Sequence, residues 1–150
     1  MSDLRELYQE VILDHSKRPR NKGSVEGSNR SAEGYNPLCG DQVTIQLIVD
    51  DENTVTDAAF DGVGCAISTA SASLMTEALK GKTVEDVHRL FRAFHCLVKG
   101  DELPPDSPAL EKLEVFAGVA EFPMRVKCAS LSWHTMQAAI DEKTDAVTTE

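Results

Sequence analysis

A chain of 150 residues suffices for one domain that buries roughly two-thirds of its unfolded surface, so it needs no disulfide staples to fold. Its formal charge is −10, from 15 Lys and Arg against 25 Asp and Glu, which repels nucleic acid phosphates and argues against a nucleic acid partner. No apolar run approaches the ~18 residues of a membrane span, and the start, Met1-Ser2-Asp3-Leu4-Arg5-Glu6, lacks a basic segment leading into an apolar one; a cytoplasmic protein with reduced thiols and no membrane contact is expected.

Leu4, Leu7, Tyr8, Val11 and Ile12 recur at helical spacing, which predicts an amphipathic helix ending near His15 or Ser16, before Pro19. His15 in that last turn is expected to be a cation favoured by the helix dipole rather than a metal ligand. The basic residues Lys17, Arg18, Arg20, Lys22 and Arg30 then cluster within an acidic protein; a solvated loop is the plainer reading and a docking patch the other. The Gly, Ser and Asn-rich passage from Gly23 to Gly34 has room for a short edge strand.

Val43, Ile45, Leu47 and Val49 alternate with Gln42, Thr44, Gln46 and Ile48, the pattern of a strand with one buried face. The turn Asp50-Asp51-Glu52-Asn53 sends the chain back through a second strand, about Val55 to Asp61, as an antiparallel hairpin. A helix follows from Ala66 to Lys80 and stops at Gly81. Thr83 with Asp86 resembles a capping box for the next helix, whose apolar stripe is Val84, Val87, Phe91, Phe94 and Val98 and whose end is Gly100. Cys96 in this helix reads as a buried or half-buried structural thiol. Ser107 is the expected N-cap of a further helix burying Leu110, Leu113 and Phe116, and a last helix begins near Pro123 and runs through Trp133, Met136 and Ile140. The polar tail, 142–150, is expected to fray, and nothing divides 1–150 into more than one domain.

Three of the four cysteines sit in distinctive settings: Asn36-Pro37-Leu38-Cys39-Gly40-Asp41, Asp61-Gly62-Val63-Gly64-Cys65, and Phe122-Pro123-Met124-Arg125-Val126-Lys127-Cys128. Three thiols and the carboxylate of Asp41 make a donor set for a soft, tetrahedral metal, provided that they converge; scattered structural cysteines and ordinary turn glycines are the alternative. The hairpin places Cys39, before its first strand, beside Cys65, after its second. Cys65 at one helix start and Cys128 in the first turns of another lie where unpaired N–H groups favour thiolates. Arg125, three residues before Cys128, is placed to offset the negative charge of such a site.

Taken together, these motifs resemble the U-type iron–sulfur cluster assembly proteins, the family of IscU, the NifU N-terminal domain and SufU. The resemblance runs from Leu7-Tyr8-Gln9-Glu10-Val11-Ile12-Leu13-Asp14-His15 and Pro19-Arg20-Asn21 through Asn36–Asp41 to the last cysteine. It implies an α+β fold, a small antiparallel sheet of about three strands packed by five or so helices. Within the family, IscU-like members carry a histidine before the third cysteine, where this chain has Lys127, and a Leu-Pro-Pro-Val-Lys motif that is absent in front of Cys128. These departures resemble SufU. That branch implies one Zn²⁺ on Cys39, Asp41, Cys65 and Cys128, with Cys39 released by a residue of the partner to accept persulfide sulfur from a SufS-like cysteine desulfurase, Arg125 supporting, and sulfur passing on to a Suf-type cluster scaffold. The wider family implies the alternative of a non-enzymatic scaffold holding iron or a [2Fe–2S] cluster on the same four residues. A zinc ion as structural staple is the third reading.

Overall fold

The computed structural model describes residues 2–37, 40–142 and 147–148. The chain runs α1 (Ser2–Lys17), β1 (Arg30–Asn36), β2 (Asp41–Val49), β3 (Val55–Val63), α2 (Ala66–Leu79), α3 (Val84–Lys99), a 3-10 helix (Glu111–Glu121), α4 (Pro123–Ile140) and β4 (Val147–Thr148). It is the expected α+β arrangement: three antiparallel strands and five helices, with a two-residue fourth strand.

The sheet order is β3-β2-β1-β4. Alternation puts Val43, Ile45, Leu47 and Val49 of β2 on the core face, and Gln42, Thr44, Gln46 and Ile48 on the other. β2 pairs antiparallel with β3 from Gln42↔Val63 to Val49↔Val55, and with β1 from Arg30↔Leu47 to Asn36↔Asp41. Residues 37–40 are therefore a four-residue hairpin connection. The strand sought between Gly23 and Gly34 lies later, at 30–36, and is not an edge. β4 pairs parallel with it at Gly34↔Val147 and Tyr35↔Thr148; the expectation of a frayed tail otherwise bears on 143–146 and 149–150, which lie outside the described residues. On the far side, the edge of β3 is covered by the segment after α1, since the Gly23 N–H donates to the Phe60 carbonyl and the Phe60 N–H to that of Asn21.

α2 and α4 lie on the core face of the sheet and on each other, α1 packs against α2, and α3 and the 3-10 helix close the other side of α4. Small side chains permit this close approach: Ala70, Ser71, Ala72 and Ser73 of α2 are all buried. Trp133 of α4 stacks on Phe94 of α3 at 4.4 Å between ring centroids and donates its indole N–H to Ser71 Oγ. Thr83 caps α3 by accepting the Asp86 N–H, and Gly100 ends it in the left-handed conformation (φ 77°), its N–H turned back to the last helical carbonyls.

Two local expectations are overturned. Ser107 does not cap a helix; its hydroxyl donates to the Pro104 carbonyl, and the helix begins at Glu111 as a 3-10 helix behind Leu110. Leu110, Leu113 and Phe116 are nonetheless buried as expected. His15 is no dipole-favoured cation. It is 2% exposed, with Nδ1 2.7 Å from Ser73 Oγ, and burial pushes its pKa below the usual histidine value. Among the described residues no helix is long and apolar enough to cross a membrane.

Candidate metal centre

The antiparallel ladders bring the ends of β1 and β3 to either side of the start of β2. Asp41 is the first residue of β2, opposite Asn36 on β1, and Gln42 beside it pairs with Val63, two residues before Cys65. Cys65 then caps α2: its backbone is extended (φ −69°, ψ 170°), and its sulfur accepts the Ser68 N–H at 3.4 Å. One of the unpaired donors at the helix start is thereby given to sulfur. Gly64 makes room for this turn, since a Cβ there would press on Asp41 Oδ1 and Ser68 Oγ, each at 3.1 Å.

Asp41 is 1% exposed and faces Cys65 with both oxygens. Oδ1 accepts the Cys65 N–H at 2.9 Å, and Oδ2 lies 3.9 Å from Cys65 Sγ. Cys128 comes from α4, which crosses the same end of the sheet; it is 4% exposed. The donor atoms of Asp41, Cys65 and Cys128 all lie within 4.8 Å of one another. Bonds of about 2.3 Å to sulfur and 2.1 Å to oxygen, at the tetrahedral angle, separate donors by about 3.6–3.8 Å. The three groups are thus close to the spacing of a tetrahedral zinc or iron site, and their chemistry, two thiols and a carboxylate, suits either metal.

Cys128 is the sixth residue of α4, a full turn beyond the free N–H groups of the helix start, so the helix end serves it less directly than sequence position suggests. The Asn36 carboxamide, at the end of β1, donates to Cys128 Sγ at 3.8 Å.

The NifU-like N-terminal domain matches this chain over residues 7–129, from within α1 to one residue past Cys128. The chain belongs to that family. Among its NifU-like relatives, the "Zinc-dependent sulfurtransferase SufU" of Bacillus subtilis is 42% identical over 93% of this chain and 92% of that protein. The "Iron-sulfur cluster assembly scaffold protein IscU" of Streptococcus pyogenes is 41% identical over 97% of this chain and 90% of that one. A crystal structure from Fervidobacterium islandicum AW-1, assigned as a cluster assembly scaffold for the SUF system, superimposes with a TM-score of 0.82 at 34% identity, covering 91% of this chain and 98% of that one.

Of the four ligands expected in this NifU-like domain, the fold brings together Asp41, Cys65 and Cys128; Cys39 lies outside the described residues, in the connection that joins Asn36 to Asp41. Arg125, expected to offset the charge of the site, is exposed. Its guanidinium lies over the Phe122 ring, 4.6 Å from the centroid, an arrangement that the helix start favours by placing the two residues one turn apart. Cys96 stays apart from the cluster, half-buried on α3. In the basic segment Arg18 and Arg20 both pair with Asp14, and Arg30 with Glu142, so two carboxylates stand against three of its five cations. In the sequence Asn36 is the first residue of the segment Asn36–Asp41 and carries no signal of its own. The signal for it, a polar residue at an inward position of a strand, needs the strand's register to be read.

Proposed function

We propose that this protein serves iron–sulfur cluster assembly in the cytoplasm as a zinc-dependent sulfur acceptor. Zn²⁺ would be held by Asp41, Cys65 and Cys128 together with Cys39, and sulfur would come from a cysteine desulfurase. The observation that carries the reading is the convergence of one carboxylate and two thiols from β2, the start of α2 and α4, within 4.8 Å. The resemblance of Lys127 and the flanking residues to SufU, and the 42% identity to a protein so named, favour zinc and sulfur transfer over cluster building.

When bound, the metal supplies positive charge that keeps the thiols deprotonated and fixed. The other groups follow from the chain. Asp41 anchors Cys65 through its N–H, the Ser68 N–H meets the Cys65 sulfur, and Gly64 leaves the space that these contacts occupy. Cys39 is the acceptor. Its thiolate attacks the outer sulfur of the desulfurase persulfide, an S–S bond forms at Cys39 as the S–S bond of the partner breaks, and the desulfurase thiol leaves with the bonding pair. No net oxidation occurs, and the sulfane sulfur is handed on to a cluster scaffold.

Purified protein given to a cysteine desulfurase and cysteine tests this reading. Wild type is expected to accelerate sulfide release and Cys39→Ala to abolish the stimulation; equal stimulation by the variant overturns the mechanism. A second reading, a scaffold that assembles a [2Fe–2S] cluster on the same residues, is favoured by the same donor set and by the 41% identity to a protein named as a scaffold. About one zinc per chain, with no visible absorption after anaerobic reconstitution with iron and sulfide, decides for the first reading, and a coloured, iron-bound protein for the second.

A further inference from the structure

We propose that Asn36 is a positioning residue for the metal centre, holding the Cys128 sulfur in its ligating orientation and coupling it to the hairpin connection 37–40. The proposal rests on the reading of Asp41, Cys65 and Cys128 as ligands. Asn36 is the last residue of β1, at an inward position of the strand, and is 1% exposed. A carboxamide at such depth must be hydrogen-bonded, and it donates an N–H to a sulfur 92 residues away in the chain.

The need for that donor follows from where each thiol sits. Cys65 stands at a helix start and takes the free Ser68 N–H. Cys128 is the sixth residue of α4 and 4% exposed, beyond the unpaired N–H groups of the helix start, and a thiolate ligand at that depth gains from a hydrogen-bond donor. The Asn36 carboxamide brings such a donor from the sheet, 3.8 Å from the Cys128 sulfur. The same residue also closes the hairpin, because its backbone carbonyl accepts the Gly40 N–H at 2.8 Å. Its side chain therefore fixes one expected ligand while its backbone braces the connection that carries another, Cys39, and it faces Asp41, the first residue of the next strand, across the ladder. Such outer partners orient metal-ligating side chains, and their loss typically weakens metal binding by about 10–100-fold.

The test compares full-length wild type with Asn36→Asp, which keeps the shape and replaces the N–H donor by oxygen, and Asn36→Leu, which removes the polar group at similar volume. Zinc affinity is measured by competition with a chromophoric chelator, the sulfur-to-cobalt charge-transfer band after Co²⁺ substitution by absorption, and the melting temperature without metal by circular dichroism. Both variants are expected to lose about 10–100-fold in zinc affinity, with a weakened or shifted charge-transfer band in whatever cobalt protein forms. An unchanged band and affinity overturn the proposal, and so does a lower melting temperature with unchanged band and affinity, which would make Asn36 a brace of the hairpin alone. If wild type takes up neither zinc nor cobalt, the metal reading itself fails and takes this inference with it.

Discussion

The Asp41 carboxylate is divided between the backbone and the side chain of Cys65: Oδ1 accepts the Cys65 N–H at 2.9 Å, while Oδ2 lies 3.9 Å from its sulfur. The first contact builds the entry to α2, and the second places an anionic oxygen beside a thiol. A substitution can separate them. Asn at this position keeps an oxygen for the Cys65 N–H and gives up the charge, so Asp41→Asn should alter the stability of the metal-free protein by less than about 1 kcal/mol and weaken zinc binding at least about tenfold. Asp41→Ala should in addition cost about 1–3 kcal/mol without metal, because it orphans a donor. Thermal melts and chelator competition on both variants measure the two effects, and a zinc affinity of Asp41→Asn equal to wild type would remove Asp41 from the ligand set.

Three histidines bear on the acid side of the stability profile. Burial lowers the pKa of His15, His95 and His134, reinforced by the Arg20 charge at His15, Lys99 at His95 and His95 at His134; Glu77 and Asp14 oppose it at His15, and Asp101 at His95. The unfolded chain titrates these groups near the ordinary value of about 6.5 and so takes up protons that the native state refuses. Stability is therefore full above about pH 6.5 and lost as the pH falls through the lower native values. The metal-free melting temperature should drop between about pH 7 and 5.5. His134→Gln, which removes one of the three, should flatten that slope, and a flat wild-type profile over this window would contradict the account.

What the sequence disclosed was local. The alternation from Val43 to Val49 and the turn at Asp50–Asn53 fixed the hairpin, Thr83 with Asp86 and Gly100 bounded α3, and Cys65 behind Gly64 marked a helix start. His15 and Asn36 were not legible because their partners, Ser73 and Cys128, lie 58 and 92 residues away and meet them only through packing. The stretch after Pro108 misled for a different reason. Its apolar spacing suits a helix of either kind, and Ser107 is turned back to Pro104, so the regular α-helical start was never formed. Arg125 has a near neighbour, the Phe122 ring, that a count of charges does not weigh.

Gly64 tests how tightly the centre is built. A Cβ there meets Asp41 Oδ1 and Ser68 Oγ at 3.1 Å, and Ser68 Cβ at 3.2 Å, so the carboxylate or the first turn of α2 must give by a few tenths of an ångström. Gly64 is not among the glycines with positive φ, so Ala meets no backbone penalty of that kind. Gly64→Ala should therefore fold with a melting temperature near that of wild type and bind zinc several-fold more weakly, because the displaced groups are Asp41 and the cap that orders Cys65. Chelator competition reads the shift, and an affinity equal to wild type would mean that the site tolerates movement of Asp41.

Ser73 of α2 joins α1 and the loop behind it to the core. Its hydroxyl, fully buried, accepts the Arg20 N–H at 2.9 Å and lies 2.7 Å from His15 Nδ1. Both contacts are satisfied when the Ser73 O–H donates to a neutral His15 whose remaining proton is on Nε2, the ring nitrogen 3.8 Å from Glu77. Ser73→Ala leaves two buried polar groups without this partner, at a cost of about 1–3 kcal/mol for each that finds no other. The loss should appear as a lower melting temperature and faster amide exchange in α1 and residues 18–22, with zinc affinity unchanged, because among the described ligands Ser73 bonds none of Asp41, Cys65 and Cys128. Exchange rates in α1 equal to wild type would show that the apolar face of that helix, with Tyr8, Val11 and Ile12 against the core, suffices to hold it.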